Sequence, residues 1–476
     1  MTRIQSLFRI AGLAIAAWVN APVCAVESRP NIVLIVADDL GYGDLGCYGA
    51  KGYQTPNLDG LAASGRRFTN FHVAQAVCTA SRVAILTGCY PNRLGLSGAL
   101  GPGSKIGLHP EETTIAEVLQ QRGYATAAVG KWHLGDAPQF LPTAQGFGSY
   151  FGLPYSNDMW PRHPEARPGT YPPLPLMEDS RVLKADLQPA DQEQLTTEYT
   201  ERSVRFIESH RSEPFFLYLA YSMPHVPLYV SSKFKGKTER GLFGDVLEEL
   251  DWSVGQIVET LRRLHLEENT LILFTSDNGP WLSYGDHAGS AGAMREGKGT
   301  SWEGGTRVPC IVSWPGHIPA DSTSDTLLMS IDLLPSIAHI ANAPLPPKKI
   351  DGMNVWPLLT GTDAAHPHPA YFVYYGRNEL QSVLTPEWKL VLPHTYRTLG
   401  GTPGGRDGLP ARYSQVKMSG PELYNLRNDP SETRNVAEQF PAPLQELLEL
   451  AEKARADLGD DLTGKKGSGV REPGRL

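Results

Sequence analysis

The sequence lacks the features of several protein classes. The 476-residue chain has five cysteines, and its 51 acidic residues outnumber its 43 basic ones, giving a net charge of −8. This charge offers no general attraction for nucleic acid or an anionic membrane, so an anionic ligand would need a local cluster of basic residues. The apolar run at residues 10–21 is too short to span a bilayer, and no internal repeat is present. We therefore expect a protein without a nucleic-acid partner or an integral membrane segment.

The first residues have the pattern of a secretory signal peptide. Arg3 and Arg9 flank a short N-terminal region, and the apolar run follows it. Val23-Cys24-Ala25 then offers a cleavage site. Cleavage as a lipoprotein before Cys24 is less favoured, because Val23 is bulky where a small residue is expected. We expect residues 1–25 to be removed and the mature protein to be periplasmic or secreted.

Removal of this segment leaves four cysteines: Cys47, Cys78, Cys89 and Cys310. In an oxidising compartment four cysteines can form two disulfides. If Cys78 is reserved for chemistry, the pool shrinks to three and at most one bridge can form. The pairing among the other cysteines is open.

Short apolar runs alternate with helical patterns over the first three quarters of the chain. This alternation predicts an α/β fold with a large, mostly parallel sheet covered by helices. A stripe of apolar residues at helical spacing predicts a helix at 243–265. Nearly continuous hydrophobicity is typical of strands buried on both faces, and it predicts strands at 31–37, 124–129, 215–221 and 271–276.

The character of the chain changes at about residue 366, which predicts a catalytic unit at 26–365 and a smaller α+β unit at 366–476. We expect a long proline-rich surface segment at 161–192 and a flexible glycine-rich loop at 398–411. The polar tail after Leu458 is predicted to be disordered. The smaller unit is predicted to hold a short antiparallel sheet and one helix, from runs at 371–375, 388–392, 422–426 and 443–457.

Polar residues follow each of the four predicted strands. Ligands bind beyond the carboxyl ends of parallel strands, so these residues are expected to meet at one edge. Taken singly, each has an ordinary explanation as a turn, a cap or a solvated residue. The oxygen ligands among them suit Ca²⁺. A zinc site would need histidine ligands, and no histidine stands beside these carboxylates in the sequence. The residues are Asp38, Asp39, Lys131, His133, His225, Asp277 and Asn278.

The stretch "CTASRVAILTG" places Cys78 at the predicted start of a helix. Free N–H groups and the dipole at a helix start stabilise negative charge, and Arg82 lies one turn further on the same face. A small buried structural cysteine would need no such company. A further lysine, Lys298, lies in the glycine-rich stretch "GKGTSWEGG".

The ordered set of motifs resembles the type I sulfatases of the alkaline phosphatase superfamily, and most of all the arylsulfatase A group. The set comprises Asp38-Asp39, "CTASR", "GKWHLG", "PHVP", "DNG", "GKGTSWEGGTRVP" and "ELYNLRNDPSETRN". Ala80 departs from the pattern, because many members have proline there. The resemblance implies an alkaline-phosphatase-like fold and the hydrolysis of sulfate monoesters by a sulfuric ester hydrolase.

The resemblance also implies the site. Cys78 would be oxidised to Cα-formylglycine by a formylglycine-generating or sulfatase-maturing enzyme. The residue roles implied for sulfate binding and proton transfer fall on Arg82, Lys131, His133, His225 and Lys298, with Ser156 touching the substrate. His225 or Lys298 would protonate the leaving oxygen, and His133 would take a proton from the second hydroxyl. One Ca²⁺ would be held by Asp38, Asp39, Cys78 in its oxidised form, Asp277 and Asn278.

Two alternatives stay open at this point. A formylglycine-dependent phosphonate monoester or phosphodiester hydrolase would use the same motifs, and a non-catalytic protein that binds sulfated glycans would keep Cys78 unconverted. Secretion and the proline-rich segment favour a sulfated carbohydrate as substrate over a small aryl sulfate. His394, Tyr396 and Arg397 either contact sugar or form the solvated end of a hairpin.

Overall fold

The structure is a computed structural model that describes residues 29–362 and 364–476. The predicted signal peptide at residues 1–25 lies outside the described residues. Within the described ranges, no helix combines the length and the apolar character needed to cross a membrane.

An eleven-stranded sheet forms the centre of the molecule. Its five middle strands are parallel, and the strands Arg66–His72 and Arg307–Ser313 run antiparallel to each other at one side. The predicted mostly parallel sheet is therefore confirmed, and its four predicted strands are present with ends shifted by one residue at most. In spatial order the strands are Ser322–Ser324, Arg66–His72, Arg307–Ser313, Thr270–Ser276, Asn31–Ala37, Phe215–Ala220, Ala125–Gly130, Ser149–Gly152, Leu176–Glu178 and Arg181–Lys184, with Leu328–Met329 beside Arg66–His72.

Helices cover both faces of this sheet. Alternate residues of Asn31–Ala37 enter different cores: Ile32, Leu34 and Val36 pack on one side, and Val33, Ile35 and Ala37 on the other. A strand buried on both faces needs apolar residues at every position, which explains the unbroken run in the sequence. The first face carries the helices Cys78–Thr87, Ile115–Gln120 and Leu333–Ile340, and the second carries Pro56–Ala63, Leu195–Ser209 and Leu242–Arg263.

The C-terminal part has its own four-stranded antiparallel sheet. The predicted runs appear as three of its strands, and the remaining strand, Glu379–Leu384, was not predicted. The helix Pro441–Leu458 packs on it, as predicted. A separate hairpin, Thr395–Thr398 with Ser414–Lys417, precedes the last strand. The sheet order is Tyr371–Tyr375, Glu379–Leu384, Trp388–Val391 and Glu422–Asn425.

The prediction of a disordered tail is wrong. Beyond Leu458 the chain returns to the large sheet unit, where Gly474–Arg475 pairs antiparallel with Ile106–Gly107. Arg471 forms an ion pair with Glu112 at 2.7 Å on the way. The polar composition that predicted solvation instead supplies ion-pair partners, a distinction that local composition does not carry.

The other irregular segments are also anchored. The proline-rich segment 161–192 carries the hairpin Leu176–Glu178 with Arg181–Lys184, which extends the edge of the main sheet. The glycine-rich loop is held by several hydrogen bonds. The amides of Gly405 and Ala411 both donate to the Ser283 carbonyl at 2.8 Å, and the Asp407 amide donates to the Asp286 carboxylate. The four cysteines in the described ranges, Cys47, Cys78, Cys89 and Cys310, are free thiols.

Candidate active site

The predicted site residues meet at the carboxyl edge of the central strands. Residue pairing aligns Ala37 with Ser276, and Gly130 with Ala220, so these strands end at the same level. The segments that follow are hydrogen-bonded to one another, with the Lys131 amide donating to Ala220 and the Asp277 amide to Ala37. The sheet register therefore brings together residues that lie far apart in the sequence.

Three buried carboxylates form the floor of the site: Asp38, Asp39 and Asp277. The Asp39 amide donates to Asp277 Oδ1 at 3.1 Å, and Asn278 Nδ2 donates to Asp39 Oδ1 at 2.7 Å. Burial raises the pKa of Asp277, and the negative charge of Asp38 raises it further. Carboxylates gathered this closely require compensating positive charge.

Three cationic side chains supply that charge. Arg82 Nε donates to Asp277 Oδ2 at 2.9 Å, Lys131 Nζ donates to Asp38 Oδ2 at 2.6 Å, and Lys298 Nζ donates to Asp39 Oδ2 at 2.8 Å. Burial alone would raise the pKa of Asp38, but its interactions with Lys131, His225 and Arg82 hold it below its ordinary value. Three carboxylates face three permanent cations, so the cluster is close to neutral before any ligand binds.

Cys78 is the first residue of the helix Cys78–Thr87, as predicted. Its Sγ lies 3.8 Å from Asp38 Oδ1. Burial raises the pKa of the Cys78 thiol to about 12, even though Lys131 and Lys298 oppose this effect. The thiol therefore stays protonated at neutral pH.

His133 has one ring nitrogen free to accept a proton. Its Nε2 lies 2.8 Å from the Leu100 carbonyl, which can only accept, so Nε2 carries the hydrogen. Its Nδ1 is buried and has no hydrogen-bond partner among the described residues. Burial, reinforced by the charges of Lys131 and Arg82, keeps the pKa of His133 well below its ordinary value. A neutral imidazole with an open Nδ1 can act as a base.

His225 lies beside Lys298 and Asp39. Its Nδ1 is 2.6 Å from the Val226 carbonyl, so this nitrogen carries the hydrogen and Nε2 accepts from Lys298 Nζ at 2.9 Å. His225 Nε2 is also 3.6 Å from Asp39 Oδ2. The sequence shows no histidine beside the carboxylates, but the fold brings this one there. Because Lys298 occupies its free lone pair, His225 is not an open metal ligand in this arrangement.

The donor set fits a hard cation such as Ca²⁺. Ligand atoms of Asp38, Asp39, Cys78 and His225 all lie within 4.8 Å of one another, and Asp277 and Asn278 border the same space. The Oδ1 atom of Asn278 is buried and has no hydrogen-bond partner in the described part of the chain. An open amide oxygen beside three carboxylates is the kind of ligand that calcium takes.

Other predicted contacts fall in different places. Ser156 is in the site, where its Oγ accepts from Lys131 Nζ at 3.1 Å. Arg397 reaches the site indirectly, because its Nε donates to the Lys298 carbonyl at 3.1 Å. His394 and Tyr396 are buried in the C-terminal part, so the expectation that they form the solvated end of a hairpin is wrong.

Two residues at the mouth of the site escaped the sequence reasoning. Asp158 lies two positions after Ser156, and Trp281 directly follows "SDNGP". Both lie on irregular segments, where no periodicity marks them. Their nearness in sequence to motif residues was the available signal.

The site as a whole can bind a tetrahedral anion and transfer it. It combines a helix start, three fixed cations, a cation-binding set of oxygens and two histidines at one sheet edge. Such an arrangement defines a hydrolase that acts on esters of an oxyanion.

Comparison with known proteins identifies the class more closely. The model of the sulfatase family matches residues 30–343, and that of the N-sulphoglucosamine sulphohydrolase C-terminal region matches residues 297–397. Human arylsulfatase A is 41% identical over 449 residues, which cover 90% of this chain and 88% of the relative. The chain belongs to the sulfatase family, and it is a sulfuric ester hydrolase of the alkaline phosphatase superfamily.

Solved structures agree with this assignment. A sulfatase from Pseudoalteromonas sp. is 27% identical, with a TM-score of 0.81 and coverage of 90% of both chains. A second structure, described under the metabolism of multiple glycosaminoglycans by Bacteroides thetaiotaomicron, is 30% identical with a TM-score of 0.77, covering 90% of this chain and 99% of that one.

Proposed function

We propose that this sulfatase acts on sulfated carbohydrate, using Cα-formylglycine derived from Cys78 and one bound calcium ion. The position of Cys78 is the observation that carries the proposal. It lies beside Asp38 within the charge cluster, yet a thiol pKa of about 12 makes it a poor nucleophile. Conversion by a formylglycine-generating or sulfatase-maturing enzyme would give this position a reactive group.

The two absent groups have distinct contributions. Hydrated formylglycine supplies two hydroxyls on one carbon, of which one takes the sulfuryl group and the other expels it as sulfate. Bound calcium supplies positive charge that orients the sulfate oxygens and stabilises the charge that develops on them. Asp38, Asp39, Asp277 and Asn278 would hold this ion, together with residue 78.

The cationic side chains bind and orient the sulfate group. Lys131 pairs with Asp38 and Lys298 with Asp39, and both lysines would donate to sulfate oxygens in the calcium-bound enzyme. Arg82 keeps positive charge beside the helix start that carries residue 78. Fixed cations in a buried site stabilise the transition state without reorganisation, which is the main source of acceleration in such transfers.

The two histidines divide the proton transfers. The Lys298–His225 pair donates a proton to the leaving alcohol oxygen, because these side chains already share a hydrogen at 2.9 Å. His133 takes a proton from the second hydroxyl through its open Nδ1. Ser156 holds Lys131 in place and borders the substrate.

The wider context fits secretion and a glycan substrate. We infer that the signal peptide directs the enzyme to the periplasm or out of the cell, where sulfated polysaccharides occur. We also infer that the chain divides near residue 365, shortly before the separate four-stranded sheet begins at Tyr371. The neighbour described under glycosaminoglycan metabolism supports a carbohydrate substrate.

The proposal is tested by mass spectrometry and paired assays. We expect the peptide that carries residue 78 to have the mass of the aldehyde or its hydrate. Hydrolysis of nitrophenyl sulfate should exceed that of phenylphosphonate, and dialysis against EGTA should lower both activity and melting temperature until calcium is returned. An active enzyme with an intact thiol at residue 78, or no response to calcium, would refute the corresponding part.

A further inference from the structure

Asp158 presents an unused acceptor at the mouth of the site. Asp158 as a whole is half-buried. Its Oδ1 atom is inaccessible to solvent and has no hydrogen-bond partner in the described ranges. An acceptor buried without a partner costs free energy in the empty protein. Next to a reaction centre, a bound ligand can supply the missing donor.

The surroundings of Asp158 tie it to the reaction centre. Burial would raise the pKa of Asp158, but its interaction with His225, a hydrogen bond from Ser156 and the charges of Lys131 and Lys298 bring it below its ordinary value. The carboxylate is therefore ionised and close to the residues that handle the sulfate and the leaving oxygen. It makes no ion pair within the described part of the chain, whereas Asp38, Asp39 and Asp277 each do.

Trp281 forms an apolar wall beside the same residues. Its ring centroid is 5.6 Å from that of His225. Lys298 Nζ lies over the ring, 4.4 Å from its centroid, and Arg397 Cζ lies over it at 5.9 Å. The ring of Tyr284 supports it edge-on at 5.0 Å, and the residue remains partly exposed. A rigid, partly exposed ring next to the proton donor can carry the flat apolar face of a sugar.

We propose that Asp158 and Trp281 form the subsite for the leaving alcohol, with Trp281 under the sugar ring and Asp158 accepting a hydrogen bond from a hydroxyl next to the sulfated position. This inference rests on the proposed function and narrows its substrate class. The preferred substrate is a pyranose sulfate with a free neighbouring hydroxyl. A flat aryl sulfate would use only the ring contact.

The test compares two substrates in each variant. The probes are a panel of monosaccharide monosulfates with a free neighbouring hydroxyl, the matching deoxy analogues, and nitrophenyl sulfate. Asp158→Asn keeps the shape of the side chain but removes its charge. We expect it to lower the ratio of kcat/KM for the best sugar sulfate to that for nitrophenyl sulfate by about 10–100-fold. With the deoxy analogue, which lacks the neighbouring hydroxyl, most of the difference between Asp158→Asn and the wild type should disappear.

Two further variants sharpen the test. Trp281→Ala should raise KM for both ring-bearing substrates by about tenfold, with a smaller change in kcat. Asp186→Asn is the matched control, because that carboxylate is exposed on the same surface segment and should leave the substrate ratio unchanged. Melting curves of all variants exclude a general loss of folding.

Three results would overturn the subsite. One is an equal loss on both substrates in Asp158→Asn, which would place Asp158 with the proton-transfer machinery. Another is the same loss on the deoxy analogue, and a third is a wild-type enzyme that prefers nitrophenyl sulfate to every sugar sulfate. The proposed function is judged separately, by the state of residue 78 and the response to calcium.

Discussion

Two buried clusters of charge in this enzyme look alike in composition but differ in their place in the fold. At the sheet edge, Asp38, Asp39 and Asp277 face Arg82, Lys131 and Lys298. The second cluster joins the chain after Lys298 to the C-terminal sheet: Lys389 Nζ lies 2.9 Å from Glu303 Oε1 and 2.8 Å from Glu432 Oε1.

Different residues surround the two clusters. Around the first, Asn278 Oδ1, His133 Nδ1 and Asp158 Oδ1 are buried without partners among the described residues. In the second, Glu303 pairs with both Lys389 and Arg307, and Glu432 also accepts from the Glu303 amide at 2.8 Å. Buried charge by itself thus marks no active site. The first cluster differs in lying at the start of the helix Cys78–Thr87 and at the carboxyl ends of parallel strands.

The largest effect is expected at Cys78. Cys78→Ser should permit at most one turnover and should accumulate a sulfate ester on the enzyme, because a serine has no second hydroxyl with which to expel sulfate. Intact-mass measurement after incubation with nitrophenyl sulfate detects the added sulfuryl group. Sustained turnover by this variant would contradict the role of two hydroxyls on residue 78.

Lys298→Met should lower kcat/KM for nitrophenyl sulfate by about 10²–10³-fold, since it removes a preorganised cation and one half of the proton-donating pair. Steady-state kinetics in calcium buffer measure the loss. Lys235→Met, at an exposed lysine paired with Glu193, is the control and should have little effect. A Lys298→Met enzyme with nearly full kcat/KM would remove Lys298 from the mechanism.

Lys389→Met addresses the second cluster and should act on stability. It leaves Glu303 and Glu432 buried without their shared cation, which is expected to lower the free energy of unfolding by about 3–5 kcal/mol. Urea titration measures this change. Lys349→Met is the matched control, because that lysine is 61% exposed in its ion pair with Asp457 and should cost much less. Equal losses in the two variants would show that the buried pairs contribute nothing special.

The smallest effect is a pH dependence in the same cluster. Burial raises the pKa of Glu432 from 4.5 to about 7, with Lys389 opposing and Glu303 adding to the rise. Glu432 therefore favours the folded state below its unfolded pKa, and this contribution is lost as pH rises through about 7.

Glu432→Gln cannot ionise, so its stability relative to the wild type should increase between about pH 5 and about pH 8. Melting curves across this range test the expectation, with the exposed Glu438→Gln as control. A difference between wild type and Glu432→Gln that stays constant with pH would contradict it.

The comparison also shows what the sequence could predict. Unbroken apolar runs in the sequence indicate strands that are buried on both faces. Ligands bind beyond the carboxyl ends of parallel strands, so the polar residues after these runs are predicted to form the site. Asp38, Lys131, His225 and Asp277 were found in this way. The motif at Cys78 needed the family resemblance as well, because no local pattern distinguishes it from a buried thiol.

Other features depend on long-range pairing that no local pattern encodes. Lys389 and Glu303 read as ordinary polar residues until the fold buries them together. The tail after Leu458 reads as solvated because its ion-pair partner Glu112 is 359 residues away from Arg471. Asp158 and Trp281 lie on irregular chain, where position depends on tertiary contacts alone.

The hydrogen bond from Arg397 to the Lys298 carbonyl has a consequence for how this enzyme can be shortened or recombined. Every side chain assigned to catalysis precedes residue 300, so a fragment ending near residue 365 would contain the complete inventory. It would nevertheless lack Arg397, whose side chain is the brace that holds the backbone at Lys298. Exchange of C-terminal segments between relatives should preserve catalysis only when the incoming segment brings its own brace for that backbone.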